Sequence, residues 1–242
     1  MAEKQRGAAQ VEALRPTNDL LANLPSSELE QIRSYLEYQE FSRHMPLCDP
    51  QEPIQYGYFL NSGMASCLIP TSTGGSVEVA LIGKGGFVGN PLLFGVQRCP
   101  LRIVVQVPGN GYRIKAEDFQ RLLPSTPELF KKLGRHLLLQ SMQTAQTAAC
   151  NRLHSLQQRL ARWLLMVNDR VGPEFAMTQE YLAEMLGTGR PSVSLTASQM
   201  QRVGAIQYAR GLMRIVDRKV LERLSCECHS AVKAMMRELE LS

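Results

Sequence analysis

Residues 178–211 read TQEYLAEMLGTGRPSVSLTASQMQRVGAIQYARG. Thr178 is placed to N-cap a helix, and Glu180 suits the positive end of that helix. Tyr181, Leu182, Met185 and Leu186 follow at helical spacing and give it a buried face. Gly187-Thr188-Gly189 is a three-residue turn. Arg190 to Val203 predicts a second helix, with Pro191 in its tolerated first turn and Val193, Ala197 and Met200 on its inner face. Gly204 can take the left-handed conformation that ends a helix. Two such helices around a tight glycine turn form a helix-turn-helix. Ala205 to Tyr208 and Leu212 to Val216, joined through Arg210-Gly211, read as a β-hairpin beside it, a wing.

A second helix that enters the major groove needs a polar outer face near its N-terminus. Arg190, Ser192, Ser194, Thr196 and Gln199 supply donors and acceptors there. Arg190 suits a bidentate pair with guanine. The serines, Thr178 and Gln179 suit phosphates, as do the helix N-termini. Arg210 and Arg214 on the wing belong near the DNA backbone. A helical hairpin that merely packs has much the same pattern. The wing and the local charge favour double-stranded DNA as the partner. The alternative is a ligand-binding or protein-interaction module that keeps the shape without binding DNA.

The charge lies where this reading needs it. The chain has 242 residues, 27 Lys+Arg and 22 Asp+Glu, a net of +5. Residues 1–127 hold 11 basic and 12 acidic residues, a net of −1; residues 128–242 hold 16 and 10, a net of +6. At 44% hydrophobic and 20% charged residues the composition is that of a globular protein, which excludes fibrous and disordered classes. No apolar run approaches the roughly 20 residues of a membrane span. Residues 1–15 lack the apolar core of a secretory signal, so the expected location is the cytoplasm, with no membrane partner. No phosphate-loop lysine motif, G-x-S-x-G or H-E-x-x-H occurs, so no enzyme and no catalytic residue is expected.

Upstream of the reader the pattern is helical from Ser125. Ser125-Thr126-Pro127-Glu128 has the form of a capping box. Leu129, Leu133, Leu137, Ala145, Ala148, Ala149 and Leu153 trace a stripe along a long helix, and Leu156–Val167 predicts another. The stripe is either a parallel dimer seam or the face that packs on the chain's own β domain; the small side chains favour the dimer. Further upstream the grammar is that of strands. Ile54–Leu60, Ala65–Ile69, Ser76–Ile82, Ile103–Val107 and Gly111–Ile114 are separated by turn signals such as Gly63, Thr73-Gly74-Gly75 and Pro108-Gly109-Asn110. Many short strands of this kind predict a β-sandwich or jelly roll. Ser27-Glu28-Leu29-Glu30 reads as a capping box for a short preceding helix, with Ser27 as N-cap. The fold class is therefore α+β. The expected division is a flexible tail at 1–17, a β-roll at 18–124, a dimerisation helix at 125–154 and a winged helix-turn-helix at 155–242.

This order of parts resembles the CRP/FNR family of bacterial transcription regulators. The resemblance spans about Asn18 to Cys228. In the roll it is carried by Tyr58-Phe59-Leu60-Asn61-Ser62-Gly63, Ser76-Val77-Glu78-Val79-Ala80 and Gly85-Gly86-Phe87-Val88-Gly89. In the reader it is carried by Leu160-Ala161-Arg162-Trp163-Leu164-Leu165, Thr178-Gln179-Glu180-Tyr181-Leu182-Ala183 and Leu186-Gly187. It implies a homodimer on a two-fold symmetric operator and contact with RNA polymerase. It also implies that Arg190 stands where the family's first base-reading arginine stands. Many relatives follow that arginine with Glu and carry another Arg one turn later; here Pro191 and Leu195 stand instead, so a different operator is expected.

The resemblance also locates an effector pocket at Gly89, Asn90, Arg98, Cys99 and Arg102. Nucleotide-binding relatives have Gly-Glu followed by Arg-Ser or Arg-Thr; here Asn90 replaces the Glu, and either Arg98 or Arg102 stands for the phosphate arginine. Loss of a charge-assisted bond argues against a cyclic nucleotide. The cysteines are Cys48, Cys67, Cys99, Cys150, Cys226 and Cys228, without the tight N-terminal cluster of iron–sulfur relatives. Cys226-Glu227-Cys228, with His229 beside it, is a C-x-C pair without a second pair at zinc spacing. It reads as free thiols, and no metal site is assigned. Haem through His44, His136 or His154 is not expected either, so the expected cofactors are none.

Overall fold

The structure is a computed structural model that describes residues 17–50, 52–72 and 75–241. Residues 1–16 of the expected tail, and Thr73-Gly74 of one expected turn, lie outside these. The fold is α+β. Helices α1 (Asp19–Ala22) and α2 (Ser26–Arg33) lead into eight strands. These are β1 (Glu37–Phe41), β2 (Pro46–Cys48), β3 (Tyr56–Leu60), β4 (Met64–Pro70), β5 (Ser76–Ile82), β6 (Phe87–Val88), β7 (Arg102–Val107) and β8 (Gly109–Lys115). They form two antiparallel sheets, in the orders β1-β8-β3-β6 and β2-β7-β4-β5. A 3-10 turn at Asn90–Phe94 follows β6.

The roll's core lies between the sheets. Phe59, Phe87 and Phe119 are fully buried and stack in sequence, with centroids 4.7 Å and 5.2 Å apart. The sheet β2-β7-β4-β5 is buried on its outer face as well. Ala65 and Cys67, Ala80 and Ile82, Ile103 and Val105 face the roll's core, while Met64, Leu68, Leu81 and Val104 face the opposite way into a second core. Two-sided burial explains why β4 begins as the near-continuous apolar run MASCL rather than an alternating one.

Helix α3 (Ala116–Leu122) leads into α4 (Pro127–Leu153). Neither expected capping box forms. Helix α2 begins at Ser26 behind Pro25, with no side-chain cap. Thr126 precedes α4, but its hydroxyl donates to the carbonyls of Leu122 and Leu123. The cap of α4 comes from Glu28, whose carboxylate accepts the N–H groups of Glu128 (3.0 Å) and Leu129 (2.9 Å). Glu28 is thereby turned inward, away from its own helix.

The expected stripe on α4 splits. Leu129 and Leu133 are buried against the roll, Leu137 is half-buried, and Ala145, Ala148, Ala149 and Leu153 are exposed. At 3.6 residues per turn, each step of four drifts about 40° around the axis. The exposed face is instead traced by Phe130, Gly134, Leu138, Ser141, Ala145 and Ala148.

Helix α5 (Leu156–Val171) starts at a true capping box, in which Ser155 and Gln158 satisfy each other's backbone N–H. After it come β9 (Glu174–Ala176), α6 (Gln179–Met185), α7 (Arg190–Arg202), β10 (Ile206–Ala209), β11 (Leu212–Ile215), α8 (Arg218–Leu224) and α9 (Cys228–Leu241). The second core joins Leu160, Leu164 and Val167 of α5 to Leu182, Val193, Met200, Met213 and Leu221. Asp169 near the end of α5 binds Arg218 and His229, both at 2.7 Å, so α8 and α9 are tied to it. Burial pushes the Asp169 carboxyl up, but those bonds and charges outweigh it and hold it below its usual range.

Candidate nucleic-acid interface

The reader is built as its sequence predicts. The Thr178 hydroxyl accepts the Tyr181 N–H at 3.2 Å and caps α6. Gly187 turns the chain at φ +58°, and α7 begins at Arg190 with Pro191 in its first turn. Val193, Ala197 and Met200 are buried. Gly204 sits at φ +73° and ends the helix, a conformation that favours glycine. The wing is a hairpin of β10 and β11, with β9 added as a third strand. Its tip is Arg210-Gly211, both at positive φ, as a two-residue hairpin turn requires.

Most of the expected contact residues are at least partly exposed. Thr178, Arg190, Ser192 and Gln199 are exposed, and Gln179 and Ser194 are half-buried. Arg210 and Arg214 are exposed on the wing. Thr196 is different: it is buried, and its hydroxyl donates to the Ser192 carbonyl at 2.8 Å. It lies on the side of α7 between Val193 and Met200. The outermost stripe of α7 is Pro191, Leu195, Ser198 and Arg202, of which only Arg202 bears charge. Ser198 and Arg202 were readable from spacing, since they stand opposite Val193, Ala197 and Met200 on a 3.6-residue period.

Each wing or helix arginine near this surface carries a counter-ion or a solvent-facing position. Arg190 pairs with Glu180 at 2.8 Å, and Arg214 with Glu174 at 3.5 Å. The Arg190 pair joins the starts of the two reader helices and is largely exposed, so a stronger partner can displace it at little cost.

The reader also rests on the roll. Ser76 hydrogen-bonds Glu184, Arg43 donates to the Ala176 carbonyl at 2.8 Å, and His44 stacks edge-on with Tyr181 at 5.8 Å. Trp163 of α5 donates its indole N–H to the buried Glu78 at 2.6 Å. Burial pushes Glu78 up to about 7. These contacts hold the back of the reader and leave the outer face of α7 free.

The expected effector residues lie along the segment from the end of β6 to the start of β7. Gly89 turns at φ +127°. The Asn90 amide donates to Gln140 of α4 at 2.5 Å. The Arg98 backbone pairs with Pro53, and Cys99 is buried beside Cys48. Arg102 lies two residues before Val104 and thus shares its outward face of the sheet, away from the roll's interior. None of the five lines a cleft of about 870 Å³ that opens between the β5–β6 loop, α4, α5 and α9. Lys84, Lys132, Arg135, Arg170 and Lys233 line it, against Asp19 and Asp169. His136 lines it too, and burial holds that imidazole down at about 4, so it is neutral at pH 7.

Residues 158–224 match the model of the Crp-like helix-turn-helix domain, and residues 38–126 that of the cyclic nucleotide-binding domain. With the roll and the winged reader, these matches define a DNA-binding transcription regulator rather than an enzyme. The chain belongs to the CRP/FNR family. It is 26% identical over 187 residues to the transcriptional regulator SdrP of Thermus thermophilus, covering 72% of this chain and 85% of the relative. The c-di-GMP responsive global regulator CLP of Xanthomonas campestris has the same fold, with a TM-score of 0.67 at 16% identity over 80% of this chain and 100% of that one. A CRP-family transcriptional regulator of Thermus thermophilus gives 0.66 at 18% identity, over 77% and 96%. No described helix is long and apolar enough to cross a membrane.

Proposed function

We propose that the protein acts in the cytoplasm as a homodimer that places two copies of α7 in successive major grooves of a two-fold symmetric operator. One observation carries this reading. The 27-residue helix α4 has an exposed face on which Phe130 and Leu138 are 44% and 49% exposed, interleaved with Gly134, Ala145 and Ala148. A second copy of the same face would cover those apolar groups, and the small residues would let the helices approach closely. Arg190 then reads a guanine, Leu195 meets a thymine methyl, and Arg210 and Arg214 hold phosphates. RNA polymerase is the further partner.

A signal acting through the roll modulates DNA affinity. The basic cleft supports an anionic small molecule as that signal, because its lining spans the roll, α4 and the reader-side helices. A ligand there would bias how the reader sits on the roll. Analytical ultracentrifugation with footprinting on genome-selected DNA tests the core reading. A dimer protecting two half-sites about one helical turn apart is expected. A monomer that retains no DNA at low salt would overturn it in favour of the ligand- or protein-binding alternative.

A further inference from the structure

Four potential metal ligands from distant parts of the chain converge beside the hinge between α4 and α5. Cys150 lies in the last turn of α4, and His154 is that helix's C-cap. Cys226 and Cys228 lie where α8 gives way to α9. One ligand atom from each lies within 4.8 Å of every other. Cys150 and Cys226 Sγ are 3.6 Å apart, and Cys228 Sγ is 3.6 Å from His154 Nδ1. The three sulfurs are buried.

The two spacings of 3.6 Å match edges of a tetrahedron around one ion. With Zn–S near 2.3 Å and Zn–N near 2.0–2.1 Å, ideal angles put sulfurs about 3.8 Å apart and sulfur and nitrogen about 3.6 Å apart. Two sulfurs at 3.6 Å are not a disulfide, which needs about 2.05 Å. An iron–sulfur cluster would hold its ligands farther apart than a single ion does. His154 has the second partner that a metal-bound imidazole usually has: its Nε2 lies 3.2 Å from the Glu227 carboxylate. Nε2–H donating to Glu227 leaves the Nδ1 lone pair directed at the cysteines. The Gln146 amide donates to Cys228 Sγ at 3.0 Å, a bond that favours thiolate. His229, the histidine adjacent in sequence, faces Asp169 at 2.7 Å instead.

We propose that Cys150, His154, Cys226 and Cys228 form a closed tetrahedral Cys₃His site for a zinc ion. Binding displaces three thiol protons to solvent and leaves a net charge of −1 on the site, which the neighbouring Arg159 and Arg162 offset. The ion clips α9 to the end of α4, at the joint that connects the sensor to the reader. With four protein ligands it has no open position, so its role is structural.

The test uses the full-length protein, purified reduced and without chelator. About one zinc per chain is expected by mass spectrometry of the metal. Cobalt added to the metal-free protein should give a thiolate-to-metal charge-transfer band with the d–d bands of a tetrahedral ion. Cys228→Ser and His154→Ala should weaken zinc, in competition with a chromophoric chelator, by tenfold or more. Glu227→Gln should keep the cobalt spectrum and lose about 10–100-fold in affinity. Cys67→Ser, at a thiol outside the cluster, should leave zinc and cobalt binding unchanged. The proposal is overturned if the reduced wild-type chain takes up neither zinc nor cobalt. It is also overturned if Cys150→Ser/Cys228→Ser, with wild-type circular dichroism, binds as tightly. Isolation of the native chain with a Cys150–Cys226 disulfide overturns it too. Should the variants fail to fold, the cobalt spectrum of the wild type decides.

Discussion

Glu28 holds the N–H of Leu129 at 2.9 Å across a hundred residues of chain. A buried carboxylate from the N-terminal helix thus supplies the N-terminal acceptor that Thr126 does not give α4. Glu28→Ala leaves two donors unpaired and should cost about 1–3 kcal/mol. Urea unfolding measures it. A loss below about 0.5 kcal/mol would mean that water replaces the carboxylate.

Glu78 sets a pH dependence. Its pKa is raised to about 7 in the fold from an ordinary 4.5, because burial disfavours the charged form. Between those values the folded protein keeps a proton that the unfolded chain releases. Stability should therefore fall as pH rises from about 4.5 to 7, by about 3 kcal/mol at most, and then level off for this group. Glu78→Gln keeps an acceptor for Trp163 and should flatten that slope. A variant with an unchanged pH–stability curve would remove Glu78 as the cause.

Arg190 and Arg210 should fail differently. Arg190→Ala should lose about 1–3 kcal/mol of discrimination at one operator base pair. Arg210→Ala should weaken all sequences alike and lower the slope of log affinity against log salt by about one. Quantitative binding to a library of operator variants separates the two patterns. A uniform loss in both would sink the assignment of reader and wing.

Leu138 should be the weak point of the dimer. Leu138→Glu places a charge on the exposed face of α4 without touching the face buried on the roll. The variant should stay folded, sediment as a monomer and lose operator affinity by more than tenfold. A folded dimer with native affinity would place the seam elsewhere.

The reader was legible almost to the residue because its boundaries carry local chemistry. Thr178, Pro191 and Gly204 each mark a helix end by a bond or a dihedral that depends on that residue alone. The strands Ser76–Ile82 and Arg102–Val107 were legible from β-branched runs between turns. Glu37–Phe41 was missed, because EYQEF is a largely exposed edge strand without an apolar rhythm. Thr196 looked like a contact residue by type, and only its angular position sends it inward. Partners separated by long stretches of chain were beyond reach. Nothing near Glu28 announces Leu129, and nothing near Cys226 announces Cys150. The effector residues were placed by resemblance, and resemblance does not say which face of β7 Arg102 occupies.

The outer face of the sheet β2-β7-β4-β5 serves as a wall of the second core, with Met64, Leu68, Leu81 and Val104 packed among reader residues. The two matched segments are therefore separable as text but not as folding units. A reader excised after α4 would leave those four side chains, and their partners on α5, facing water. Calorimetry of the intact chain should show one cooperative transition, with the matched halves melting together rather than in turn. Any exchange of rolls between such proteins by recombination would have to carry this wall along with the rest of the roll.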